Sequence, residues 1–269
     1  MSRDQKTDLP EEVKVTRWLW LALSGVAFAY VLSAMAPPLD GDTVHTYLDV
    51  PRRYAHSGGI VSLPFEVFAS IPLNMQMLSA MALLVRGEEL AQMLVGFTMA
   101  MGAASIVFLL GRRYFSMEIG LWAALFFLVT HVVEFLVPTA KVDLGRAFFD
   151  LLAIFSLSRW VFTQERQDRW LVIGGIFSGA GFATSYVSGF TAAVIVLFIG
   201  IVTLATDQDM RTRLTNGSHR LLLYAIPLVL LSCPWLIKNY IETGNPVYPV
   251  FMGDFSPVQY STNPWAVVT

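Results

Sequence analysis

Charge is scarce in this chain. Only 14% of its 269 residues are Asp, Glu, Lys or Arg, against roughly 25% in an ordinary soluble domain. Neither the net charge of −2 nor the scatter of the basic residues points to nucleic acid. Cysteine is nearly missing too. Cys233 stands alone inside an apolar run, which rules out an intrachain disulfide and reads as a packed thiol. No pair of His or Cys residues has the spacing of a zinc site, so no metal or other cofactor is expected, although a divalent ion is left open. The chain has no Walker sequence and no Ser-His-Asp elbow, which removes the phosphate-loop and serine-hydrolase classes. The first apolar run lacks a small-residue cleavage site after it, so it reads as a retained helix rather than a leader.

What fills the space is hydrocarbon. Hydrophobic residues make up 55% of the chain, and the mean hydropathy is +0.57. That composition is of a membrane protein before any segment is counted. A crossing helix needs about 20 mostly apolar residues. Segments 18–36, 91–110, 118–137, 145–162, 171–187, 189–206 and 221–237 qualify. The run 71–85 is shorter, begins at Pro72 and carries Asn74 and Gln76. It reads as an interfacial helix. The expected fold is thus an all-α membrane protein with about seven transmembrane helices plus an outer interfacial helix.

The basic residues orient the spans. With a cytoplasmic N-terminus and no crossing at 71–85, the inner connections hold Arg3, Lys6, Lys14, Arg17, Arg112, Arg113, Arg159, Arg166, Arg169, Arg211, Arg213 and Arg220. Positive residues gather on the inner side. Residues 1–17 then form an inner tail, 18–237 a membrane domain with an outer loop at 37–90, and 238–269 an outer, incomplete C-terminal part. Arg52, Arg53, Arg86, Lys141, Arg146 and Lys238 remain outside. They serve either as snorkelling anchors or as contacts for an anion such as a phosphate.

Three stretches can carry chemistry. The first, "PLDGDTVHTYLDVPRRYAHSGG", follows the first span and opens with two prolines that should break it. Asp40 and Asp42 lie there on a short tether. A carboxylate so placed can accept a proton, while Asp-Gly-Asp is also a common turn. The second, "TAKVDLGRAFFD", sets Lys141 and Asp143 at a span mouth. Arg146 and Asp150 share a helical face at i,i+4 and read as a structural pair. The third, "CPWLIKNYIETGNPVYPVF", places Lys238 and Asn239 just beyond a helix expected to end near Pro234 and Trp235. The glycine-rich run 174–189 lies within a span and reads as close helix packing. His131, also within a span, reads as a hydrogen-bonded core residue.

In this order, "PLDGDTVHTYLDVPRRYAHSGGIV", "TAKVDLGRAFFDLLAI" and "PWLIKNYIETGNPVYPVF" resemble the GT-C superfamily of polytopic glycosyltransferases. The resemblance is to the bacterial group that includes protein O-mannosyltransferases and aminoarabinose transferases, and it spans residues 18 to about 251. It implies a multi-pass protein of a bacterial-type plasma membrane. Such a protein takes a sugar from a polyprenyl-phosphate donor and gives it to a lipid, glycan or protein acceptor at the outer face. It also implies an aspartate base, matched by Asp42 or by Asp40. The donor phosphate would be held from among Arg52, Arg53, Lys141 and Lys238, with His45, Asp143 and Asn239 in support. Two departures stand out: Gln76 where relatives have glutamate, and His45 where some have arginine. The chain stops at "STNPWAVVT", short of the further helices that relatives carry, as a fragment or a short form would. The rival readings are a lipid or anion transporter using Asp150 and Glu134 as a polar pathway, and a non-catalytic membrane subunit. A transporter should show internal repeats, and none is evident in the sequence.

Overall fold

The structure is a computed structural model that describes residues 11–250 apart from 39, 64–65, 164–166 and 207–208. The inner-tail residues Arg3 and Lys6, the loop residue Arg166 and the final segment 251–269 therefore lie outside the described residues. Among the described residues the chain is helical, with no strand.

Helix α1 runs over Glu11–Ala34, and the short α2 over Asp49–Ser57. Between them lies one wide turn at Thr43–Tyr47, closed by the Leu48 N–H on the Thr43 carbonyl at 2.9 Å. Helix α3 covers Asn74–Val85 and α4 covers Glu88–Gln92. A second wide turn at Met93–Phe97 joins α4 to α5, Thr98–Tyr114, in one continuous rod. Then come α6 (Met117–Leu128), α7 (His131–Leu136), α8 (Asp143–Phe162), α9 (Arg169–Phe182), α10 (Ser188–Thr206) and α11 (Met210–Thr243).

Among the described residues four helical rods are long and apolar enough to cross a membrane: Lys14–Ala34, Glu88–Tyr114, Ser188–Thr206 and Arg211–Thr243. Their outward faces carry exposed Trp18, Phe28, Phe190, Leu197 and Leu230. In water such faces would be a liability; in lipid they are ordinary. Helix α8 is as long as a span but carries Asp143, Arg146, Asp150 and Arg159. The segment expected as the third span is broken: α6 ends at Leu128 and α7 restarts at His131.

Small residues let the rods touch. A methyl on Gly175 of α9 would fall 2.1 Å from the Tyr224 carbonyl of α11, and one on Gly179 would fall 2.8 Å from that of Leu228. The glycine-rich run is thus a packing seam, as its sequence suggests. Trp160, Leu171, Ile195, Ile199 and Tyr224 fill the core among α8 to α11. Tyr30, Ala100, Leu128, Val133 and Leu136 fill another among α1, α5, α6 and α7.

Segment 37–90 holds the wide turn, α2 and α3, with α3 on the run read as a short helix. One expectation is corrected. The last helix does not stop near Pro234: α11 runs on to Thr243 with Pro227 and Pro234 inside it, and ends at Gly244 in the left-handed region, φ 75°. Proline is tolerated within such helices where neighbours compensate the lost bond, and glycine supplies the positive φ of the cap.

Candidate active site

The site is assembled where α1 ends and α8 begins. Pro37 and Pro38 prevent α1 from continuing, and its last carbonyls need donors. Gln92, fully buried in α4, supplies them: its Nε2 donates to the Ala36 oxygen at 2.7 Å and to the Ala34 oxygen at 3.2 Å. The chain then turns on Asp40. Its Oδ2 accepts from the Thr43 backbone N–H at 3.0 Å and from the Thr43 hydroxyl at 2.8 Å, capping the wide turn. Asp42 follows with half of its side chain exposed.

The loop between α7 and α8 arrives from the other side. It passes hard against Gly96 in the wide turn Met93–Phe97. A Cβ there would lie 2.1 Å from the Val137 carbonyl and 2.7 Å from that of Thr139. This close passage brings Lys141 to the two acids. Lys141 Nζ lies 3.0 Å from Asp40 Oδ2 and 3.1 Å from Asp42 Oδ2, and also 5.0 Å from the centre of the Phe135 ring. Its side chain is only 12% exposed, so water screens these contacts poorly.

A cavity of about 640 Å³ opens beside this bridge. Asp42, Lys141, Asp143, Arg146, Tyr47, Thr130 and His131 are its polar lining. Phe127, Val132, Leu136 and Leu144 are among its apolar lining. Arg146 lies 3.9 Å from Asp143 and 3.6 Å from Asp150.

The charges are set by these contacts. The hydrogen bond from Lys141 holds the Asp40 carboxyl below its ordinary 3.8; burial works the other way, and the two bonds from Thr43 reinforce the lowering. Burial would lower the Lys141 ammonium, but the hydrogen bonds to Asp40 and Asp42 outweigh it and the net shift is upward. Burial, followed by the charges of Asp143 and Asp42, pushes the Tyr47 phenol up. At neutral pH the site therefore holds an ionised Asp40, a charged Lys141 and a neutral Tyr47 able to donate a hydrogen bond.

Of the residues singled out in the sequence, Asp40, Asp42, Lys141 and Asp143 come together. His45 is exposed on the wide turn and is not among the described lining of the cavity. Arg52 pairs with Glu88 at the start of α4, and Arg53 with Asp49 at 2.8 Å. Both line a separate hollow of about 400 Å³ with His56, Val61 and Leu63. Lys238 donates to the Ala69 carbonyl and to Glu242, each at 2.6 Å, and borders a third hollow. Asn239 is buried and donates to the Tyr186 hydroxyl at 2.8 Å. The cations thus do not converge on one hollow as the sequence suggested; α2 and the last turns of α11 carry three of them elsewhere.

Tyr47 lines the cavity without having been singled out in the sequence. Arg146, one of the outer cations read as able to meet an anion, lines it as well and is also the i,i+4 partner of Asp150. His131 is not a core residue. Its side chain is 91% exposed, at the first residue of α7, where it lines the cavity.

The family described as dolichyl-phosphate-mannose-protein mannosyltransferase matches residues 71–237, well over half of the chain. The chain belongs to this family. It is a membrane glycosyltransferase of the GT-C type. Within this mannosyltransferase family match lie Lys141, Asp143 and Arg146, while Asp40 and Asp42 precede it. No curated protein and no solved structure matches the chain. Among the described residues no three His, Cys, Asp or Glu side chains gather as metal ligands would.

Proposed function

We propose that this glycosyltransferase moves a sugar from a polyprenyl-phosphate donor to a hydroxyl of a lipid, glycan or protein acceptor, at the outer face of a bacterial-type plasma membrane. The observation that carries this reading is the contact of Lys141 with both Asp40 and Asp42 at the wall of the 640 Å³ cavity. The family's description names a dolichyl-phosphate sugar, a donor of this chemical class. The chain crosses the membrane seven times in this reading. Arg112, Arg113, Arg159 and Arg169 lie at the end of the rods opposite the cavity, which supports an inner location for that end.

The cavity suits both ends of such a donor. Its apolar lining suits the first isoprene units, and Lys141 with Arg146 suits the phosphate. Arg146 takes the place given in the sequence to Arg52, Arg53 and Lys238. As the bond between the anomeric carbon and the phosphate oxygen breaks, negative charge grows on the phosphate. Preplaced cations stabilise it where they are poorly screened, an effect worth about 3 kcal/mol for a single donor in other enzymes. The leaving phosphate needs no proton. The acceptor hydroxyl does lose one, and Asp42 takes it as the new carbon–oxygen bond forms from the opposite face of the sugar. Asp42 suits this better than Asp40. Both acids meet Lys141, but Asp40 also accepts two hydrogen bonds from Thr43 and is held below the ordinary carboxylate range, so it is a weak base, whereas the Asp42 side chain is half exposed.

The test is purified protein in lipid nanodiscs with radiolabelled polyprenyl-phosphate mannose and a mixture of membrane acceptors. Transfer by the wild type and none by Asp42→Asn is expected. Equal transfer by both ends the assignment of Asp42.

A further inference from the structure

Arg146 lines the cavity, and a buried acid lies behind it on the same helix. Asp150 lies one turn further along α8, 8% exposed. Its Oδ2 is 3.6 Å from Arg146 Nη1 and accepts from the Thr191 hydroxyl of α10 at 3.1 Å. Gly181 of α9 closes the pocket from the third side: a methyl there would fall 3.2 Å from Asp150 Oδ1 and 2.9 Å from the Ser188 hydroxyl. Three helices therefore meet around one carboxylate. An ionisable group at this depth costs at least about 2.5 kcal/mol on insertion scales, which is why such groups are rare and mark function.

We propose that Asp150 is a positioning residue for phosphate binding, acting through Arg146. The guanidinium is shared between two acids, Asp143 at the cavity and Asp150 behind it. Asp150 and Thr191 anchor it from the side away from the ligand. Without that anchor Arg146 collapses onto Asp143, and the cavity loses a cation it could offer to a phosphate. Asp150 is not itself among the lining residues of the cavity; its effect passes through Arg146, which is. This inference rests on the donor reading above.

The experiment is a double-mutant cycle read by binding, not turnover. Wild type, Asp150→Asn, Arg146→Gln and the double variant are placed in nanodiscs and titrated with undecaprenyl phosphate, with undecaprenol as the uncharged control. Asp150→Asn keeps shape and the contact with Thr191 while removing the charge. It should weaken undecaprenyl phosphate binding roughly tenfold in the presence of Arg146 and change it by less than about twofold in its absence. Undecaprenol binding should not move. Thr191→Val carries the same cycle, in the same direction with a smaller effect, where Asp150→Asn does not fold. A buried charge of merely structural value would lower Tm without this coupling. Equal weakening in both Arg146 backgrounds, or none in either, overturns the inference while leaving the donor reading intact. A folded wild type that binds undecaprenyl phosphate no better than undecaprenol removes both.

Discussion

Lys141 Nζ lies 3.1 Å from Asp42 Oδ2, so the cation at the mouth of α8 and the acid following α1 touch before any substrate arrives. The contact joins segments about a hundred residues apart. It places a proton acceptor and a phosphate-binding charge within one hollow. Each consequence can be measured.

Replacing Lys141 by Gln removes the only positive charge bonded to both Asp40 and Asp42 among the described contacts. Asp40 then loses the hydrogen bond that holds its carboxyl low, which raises its proton affinity. An infrared pH titration should show Asp40 protonating at a higher pH than in the wild type, and the donor KM should rise. A titration and a KM that both stay in place would detach Lys141 from the acids.

Asp40 should matter to stability and Asp42 to chemistry. Asp40→Asn loses the charge that partners Lys141 while its amide oxygen can still cap Thr43, a change worth up to about 1 kcal/mol. The pKa of Asp40 is lowered in the fold, so its contribution is present above the ordinary 3.8 and is lost as pH falls through the lower folded value. The Tm difference between wild type and Asp40→Asn should be steady through the neutral range and vanish in strong acid. A gap that persists below the folded value would show that the charge is not its source.

Gly96 permits the passage of the loop that delivers Lys141. Gly96→Ala must push the Val137 carbonyl aside or unwind the turn at Met93–Phe97. Overpacking of this kind costs typically 1–3 kcal/mol. Both Tm and donor affinity should fall together. A variant with normal Tm and normal affinity would mean that the loop does not depend on this approach.

Arg52 and Arg53 lie outside the cavity, held by Glu88 and Asp49. Arg52→Gln and Arg53→Gln should leave the donor KM within about twofold, the size expected for exposed ion pairs away from a ligand. A tenfold rise in KM would return them to the phosphate site.

Much of the fold was readable because hydrocarbon length is a strong constraint. Span 189–206 matches α10 almost residue for residue, and 18–36 falls on the apolar rod Lys14–Ala34 of α1. The third span was not legible as two pieces, since Val129 and Thr130 do nothing to local hydropathy. The end of α11 was misplaced because proline usually stops a helix in water but not within a packed membrane bundle. In the site, Asp42 and Lys141 carried a signal: each is a charged residue set against a greasy run. Their contact did not, because it depends on Gly96 and on the turn made by Asp40. Arg52, Arg53 and Lys238 looked equivalent to Lys141 by charge and side. What separates them is partner choice by Glu88, Asp49 and Glu242, which no local pattern reveals.

The most direct measurement is transfer of radiolabelled mannose from polyprenyl-phosphate mannose by wild type and Asp42→Asn in nanodiscs, with donor binding recorded alongside. The account predicts matching donor affinity, full transfer by the wild type, and a loss of at least about a hundredfold in the variant. Transfer by Asp42→Asn at the wild-type rate would contradict it.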